Sequence, residues 1–270
     1  MSTLALRTRW LVSDSIALAG RNLEHVRQIP EKLFDVTLQP IMFVLLFAYV
    51  FGGVIHVAGG SYHEYLIGGI LAQTLAFGMM GPGVSIATDM KEGIVDRFRS
   101  LPMSRAAHLV GHVIAEFAAS VLTIAILLGA GLIVGWRIHT DVPHALGGLG
   151  LLLVFSLTTI WIGTLVGLLV RTADAVQGVA FILVFPLTFV ANTFVPAGGL
   201  PDGLRQIAEW NPISALAAAI RQLFGNPTAV PHGAMWPLQH PVLAAFGWCL
   251  LLIVVAVPLT LRRYRVRTTD

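Results

Sequence analysis

Charge is scarce in this sequence of 270 residues: Asp, Glu, Lys and Arg make up 11% of it, against about 25% in an ordinary soluble domain. With 56% hydrophobic residues and a mean hydropathy of +0.80, there is too little polar material to coat a water-facing surface, which excludes a soluble globule. Cysteine occurs once, at Cys249, which excludes a disulfide framework or a cysteine metal site within one chain. Cys249 stands in an uncharged stretch and reads as a packing residue. Lysine occurs twice, at Lys32 and Lys91, and neither stands in a G-x-x-x-x-G-K-S/T phosphate loop, so the chain does not hold ATP in that way. The nine histidines are scattered, and the HEYLI run at His63 lacks the second histidine of the H-E-x-x-H zinc pattern. No Gly-x-Ser-x-Gly nucleophile elbow occurs, and no cluster of His, Asp or Ser equips an intramembrane enzyme acting on lipids. A formal charge of +3 and a pI of 9.4 come without a polybasic stripe interleaved with aromatics, so they do not point to nucleic acid.

The charges that are present are grouped. Between Val36 and Thr88 the only one is Glu64; between Arg105 and Arg137 it is Glu116; between Asp174 and Asp202, and between Arg221 and Arg262, there is none. A helix needs about 20 apolar residues to cross about 30 Å of hydrocarbon, so these stretches read as six spans, at 36–57, 65–87, 109–134, 146–170, 176–195 and 238–261. Gly78, Gly81, Pro82 and Gly83 predict a kink or break near the end of the second span, and Pro186 predicts another in the fifth. Of the 17 Lys and Arg, 14 lie in alternate inter-span segments and 3 in the others. The positive-inside rule puts the fourteen, and both termini, in the cytoplasm. Trp136, Trp210 and Trp236 then fall near the outer interface, where indoles are favoured. The apolar part of the first 20 residues is broken by Arg7, Arg9 and Asp14, so no cleavable signal peptide is expected.

Ahead of the first span, Leu11, Val12, Ile16, Leu18, Ala19, Leu23 and Val26 share one side of a helix, and Arg9, Asp14, Arg21, Glu24 and Arg27 the other. Pro30 closes this amphipathic segment, which reads as a helix lying on the membrane surface, its polar face open to a cytoplasmic partner. In the outer segment 196–237, Asn211 supplies an N-cap, Pro212 a first-turn proline and Gly225 a stop, so a short helix is predicted over 212–224, with another over 203–210. Their apolarity suggests a partial re-entrant hairpin in the outer leaflet. Residues 88–105, TDMKEGIVDRFRSLPMSR, alternate acid and base, place Phe98 and Leu101 at i, i+3, and are bounded by Gly93 and Pro102. A solvated loop accounts for the charges. Ile94, Val95, Phe98 and Leu101 add an apolar side, and a docking site for another protein accounts for both.

EGIVDRFRSLPMSR, followed by GHVIAE in the third span, resembles the first cytoplasmic loop of the type-two ATP-binding-cassette export permeases, in particular their daunorubicin-resistance group. FVPAGGLPDGLRQIAEWNPISALAAAIRQLFG, 194–225, is similar to that family's outer hairpin, with its Asn211, Pro212 and Arg221. The resemblance covers nearly the whole chain. It implies an all-α membrane protein: an interfacial helix in 1–35, six transmembrane helices within 36–261, a coupling loop at 88–108, an outer hairpin at 196–237 and a basic cytoplasmic tail at 262–270. It implies a permease in the plasma membrane, the inner or cytoplasmic membrane of a bacterium, moving a hydrophobic drug or a lipid-like substrate outward. No cofactor is expected on this chain, with ATP and Mg held by two copies of a separate ATPase subunit. A coupling helix would use Glu92, Asp96, Arg97, Arg99 and Arg105 for polar contacts and Phe98 and Leu101 as anchors. A second permease copy, identical or different, is expected as partner, within membrane lipid.

The broken spans two and five are the expected lining of the path, with Gln73, Thr74, Thr188, Asn192 and Thr193 as candidates; the same residues also suit hydrogen bonds to neighbouring helices. Glu116 is the one acid well inside a span, readable as a proton relay or cation site, or as a structural partner of an arginine such as Arg171. A proton-coupled secondary transporter is therefore the rival reading, with Glu116 as its only support.

Overall fold

The computed structural model describes residues 30–51, 57, 60–93, 105–170, 172–231 and 233–267, and among them all regular structure is helical. Helix α1 runs Pro30–Phe51, α2 Tyr62–Phe77, α3 Met80–Lys91, α4 Arg105–Val134, α5 Val142–Leu169 and α6 Ala173–Val190. A 3-10 turn at Ala197–Gly199, α7 at Asp202–Trp210, α8 at Pro212–Phe224 and the single turn α9 at Trp236–Gln239 lead to α10, Pro241–Arg267. Five stretches are long and apolar enough to cross a membrane: 62–91, which is α2 with α3, then Leu109–Val134, Val142–Leu169, Ala173–Val190 and Pro241–Arg267. The expected first span is represented by α1, whose apolar run among the described residues, Ile41–Val50, is shorter than those five. α1 covers Pro30–Phe51, so the chain is already helical ahead of the expected 36. The amphipathic segment before it lies outside the described residues.

The second span breaks where its glycines cluster. α2 ends at Gly78, whose N–H still reaches Thr74 O at 2.9 Å, and α3 restarts at Met80 with Pro82 in its first turn. The sequence three helices away explains how this break packs. Gly163 and Gly167, four apart on α5, face the restart, and a Cβ on either would overlap the carbonyl of Met79 or Gly83. A Cβ on Gly83 would in turn stand 2.8 Å from Gly163 O. Backbone therefore lies on backbone, the close approach that small residues four apart allow between membrane helices. At Pro186, where a kink or break is expected, α6 is not interrupted and continues to Val190. Only the carbonyl one turn back loses its donor to proline, and the flanking ladder keeps the helix intact.

The helices alternate in direction, and this gives the bundle two chemically different ends. At one, Ile86, Leu109, Leu168 and Tyr264 cluster, bringing together the close of α3, the start of α4 and the closes of α5 and α10; Lys91, Arg262, Arg263, Arg265 and Arg267 belong to this end, and Arg267 donates to Val170 O. At the other, Phe47 of α1 stacks on Phe194 at 4.2 Å and α8 meets α2. Within the apolar windows, 61% of 62–91 and 56% of α5 are buried, against 22% for α4, α6 and α10. The broken span and α5 are therefore central, and the other three lie at the margin. α10 stays helical through Arg267, into the basic segment expected after 261.

Candidate functional site

α8 is built by local chemistry at both ends. Asn211 Oδ1 accepts from Ile213 N at 2.9 Å, so the side chain caps the helix. Gly225, at φ 72, takes the left-handed conformation that closes it, its N–H returning to Gln222 O. Between them the apolar residues Ile213, Leu216, Ile220 and Phe224 are buried, as is one charged residue, Arg221, which is 0% exposed. Glycine makes room for it: a Cβ on Gly68 of α2 would stand 2.8 Å from Arg221 Cγ.

Arg221 has no carboxylate beside it among its hydrogen bonds. Its Nε donates to Tyr65 O at 2.7 Å, one terminal nitrogen to Asn192 O at 2.9 Å and the other to Thr193 O at 2.8 Å. The guanidinium carbon lies 3.4 Å from the centre of the Tyr65 ring, a cation–π contact. Asn192 and Thr193 follow the last residue of α6, where a helix ends with carbonyls lacking donors and a negative dipole. The arginine thus fastens the chain just past α6 to α2 and α8. Burial lowers the affinity of the guanidinium for its proton, with Tyr65 and Tyr62 acting in the opposite sense. An arginine starts high enough to stay charged. Tyr65 adds a tie of its own, donating its hydroxyl to Asn192 O at 2.7 Å. Ser214 Oγ accepts from Asn192 N at 3.0 Å, and Asn211 Nδ2 donates to Leu187 O at 2.7 Å.

Further ties surround this junction. Trp136 is buried against Phe224 and donates Nε1 to Asn226 Oδ1 at 2.7 Å. Trp210 and Trp236 remain exposed. Glu64 at the start of α2 meets His139 Nε2 at 2.7 Å. Glu209, buried on α7, accepts from Arg205 Nε at 2.7 Å and from Met235 N, tying α7 to the approach of α9.

The sequence-derived path residues divide. Asn192 and Thr193 stand at the junction with Arg221; Thr193 Oγ1 donates to Thr188 O and Thr188 Oγ1 to Val184 O and Phe185 O, so both hydroxyls bond within α6 and its end. Gln73 is buried and Thr74 half-buried on α2, more than two turns from Tyr65. Glu116 is half-buried on α4, with its carboxylate beside Gly81 of the break and its carbonyl accepting from Ser120. Arg171 lies outside the described residues. So do Asp96, Arg97, Phe98, Arg99, Leu101 and Pro102. Of the expected coupling segment the structure describes its two borders. α3 runs on to Lys91, Glu92 N donates to Thr88 O at 2.9 Å, and Gly93 turns the chain at φ 66; α4 begins at Arg105.

Sequence reasoning did not find Tyr65, Ser214 or Glu209. One signal was available for the first: Gly68 and Gly69 stand together inside a span, where adjacent glycines mark a close approach.

A model of the ABC-2 type transporter family matches residues 15–224. The daunorubicin resistance ABC transporter permease protein DrrB1 of Streptomyces coeruleorubidus is 29% identical over 256 residues, covering 94% of this chain and 87% of its own. The doxorubicin resistance ABC transporter permease protein DrrB of Mycobacterium tuberculosis is 24% identical over 204 residues, covering 76% and 70%. The putative transport permease ycf38 of the red alga Pyropia yezoensis is 24% identical over 223 residues, covering 80% and 75%.

Proposed function

The chain belongs to the ABC-2 type transporter family, and from that premise we propose that it is the membrane-path subunit of an ATP-driven exporter of hydrophobic compounds, drugs of the anthracycline kind or lipids. The observation that carries this reading is the match over 94% of the chain to a permease named for daunorubicin resistance. The absence of a phosphate loop agrees with it: energy comes from a separate ATPase subunit in two copies, which holds ATP and Mg. That subunit docks on the segment 88–105, with Phe98 and Leu101 as apolar anchors and Glu92, Asp96, Arg97, Arg99 and Arg105 around them.

The mechanical requirement is a short rigid lever. The central broken span ends in α3 and passes directly into the proposed docking segment, which leads into α4. A push there tilts α3 and α4 as bodies. α3 lies on α5 backbone to backbone, so the tilt reaches the centre of the bundle. Two permease copies face each other across the path, with the arginine-rich end in the cytoplasm, as the positive-inside rule requires, and α7 and α8 forming the hairpin in the outer leaflet. Gln73, Thr74, Asn192, Thr193 and Thr188 mark the stretch of spans two and five that borders the path, and an apolar lining binds its cargo by buried area.

The test is transport of daunorubicin into inside-out proteoliposomes holding the permease with an ABC ATPase subunit. Accumulation that requires both chains and hydrolysable ATP supports the proposal. Accumulation by the permease alone under a proton gradient overturns it in favour of the proton-coupled reading centred on Glu116.

A further inference from the structure

The geometry points to a reversible outer closure, in which Arg221 is the positioning residue that bolts α8 across the ends of α2 and α6 and must leave its three carbonyls for cargo to pass. The inference rests on the exporter reading above and adds the residue that holds the outer end shut.

Three features set this junction apart from ordinary packing. First, among the described residues the charge is held by neutral acceptors, Tyr65 O, Asn192 O and Thr193 O, and by the Tyr65 ring. Separating a buried arginine from a carboxylate strands two charges; separating it from carbonyls strands one, and water entering the gap satisfies both sides. Second, the helices meet at a contact that only glycine permits. A Cβ on Gly69 would overlap the Thr193 carbonyl, and one on Gly68 would press on the arginine stem. Two glycines inside a helix raise its backbone entropy cost, which this approach requires. Third, the closed junction is left polar and incomplete: Asn192 Oδ1 and Tyr62 Oη are buried without a hydrogen-bond partner. Both gain partners when the junction opens to water, so the closed form is biased toward opening, as a gate needs and a permanent structural core does not.

The junction also lies where a gate has to be. It joins the broken second span, the fifth span and the hairpin helix at the end opposite the proposed ATPase docking segment. Arg221 ties together the outer ends of the two spans proposed to border the path.

The experiment uses the permease–ATPase complex in proteoliposomes, with Cys249→Ser removing the native thiol and Ser214→Cys placing one beneath the arginine, at a position that is 0% exposed. A membrane-impermeant maleimide is applied to the outer face. With Arg221 present, labelling is expected only during ATP turnover. With Arg221→Ala, labelling without ATP rises about tenfold or more, the scale of one charge-assisted hydrogen bond lost from an opening equilibrium, and ATP consumed per molecule transported rises with it. Arg221→Lys, which keeps the charge with fewer directed donors, falls between. Should Arg221→Ala fail to accumulate in the membrane, Gly69→Ala, which pushes Thr193 away while leaving the arginine in place, gives the same readout. ATP-driven transport with Ser214→Cys protected in Arg221→Ala, or in Gly69→Ala where that stands in, overturns the closure and leaves the exporter reading intact. Loss of all ATP dependence in the Arg221 background overturns the exporter reading, and the closure with it.

Discussion

Asn211 performs two tasks with the two ends of one amide. Its oxygen caps α8 by accepting from Ile213 N, and its nitrogen crosses to Leu187 O on α6. Asn211→Ala removes both, and the folded protein is expected to lose about 1–3 kcal/mol, a cap plus one net hydrogen bond. Asn211→Asp keeps the acceptor for the cap and replaces the donor with a charge facing a carbonyl, so it should restore the cap and still fall short of the wild type. Thermal unfolding of the detergent-solubilised protein, followed by tryptophan fluorescence, separates the two. Equal midpoints for the alanine and aspartate variants would show that the cap contributes nothing here. At the same scale, Tyr65→Phe keeps the ring under Arg221 and deletes only the hydroxyl bond to Asn192 O. It is expected to cost about 0.6–1.5 kcal/mol, within the range found for single hydrogen bonds between membrane helices, and to loosen the outer junction less than loss of Arg221.

Between elements, the decisive contact is α3 on α5. Gly163→Ala places a methyl into the Met79 carbonyl, and about 1–3 kcal/mol of destabilisation is expected from overpacking that backbone cannot relieve. Gly150→Ala on the same helix meets nothing within 4 Å and should be neutral or slightly stabilising, since alanine is the better helix former. A shared unfolding midpoint for both variants would contradict the packing described. Element boundaries were legible in the sequence wherever the signal is local. The Asn211–Pro212 start and Gly225 stop place α8 at the residues observed, and the glycines around 78–83 place the break. At Pro186 the helix is uninterrupted, since a single missing N–H inside an apolar helix is a smaller perturbation than a break requires. Arg221 and Asn192 are each singled out separately by the sequence, but their joining with Tyr65 is not legible there, since it links positions 127 and 156 residues apart in the chain and only tertiary packing brings them together. The Trp136–Asn226 hydrogen bond belongs to the same class, joining positions 90 residues apart.

As a whole the molecule has two chemically different ends. The arginine-rich end carries the segment where energy is proposed to enter, the other carries the junction where release is proposed to occur, and the broken span with α5 runs between them. Severing the input while leaving the bundle intact should therefore abolish transport without unfolding. Phe98→Asp with Leu101→Asp is expected to reduce ATP-driven daunorubicin transport at least tenfold, the loss of two apolar anchors at about 1.5 kcal/mol or more each, with the unfolding midpoint unchanged. The most direct test of the account is photo-crosslinking from position 98 in native membranes. Covalent capture of an ATP-hydrolysing subunit through that position is the predicted result; reaction of that position with an impermeant reagent added outside the cell, with no such subunit captured, would contradict it.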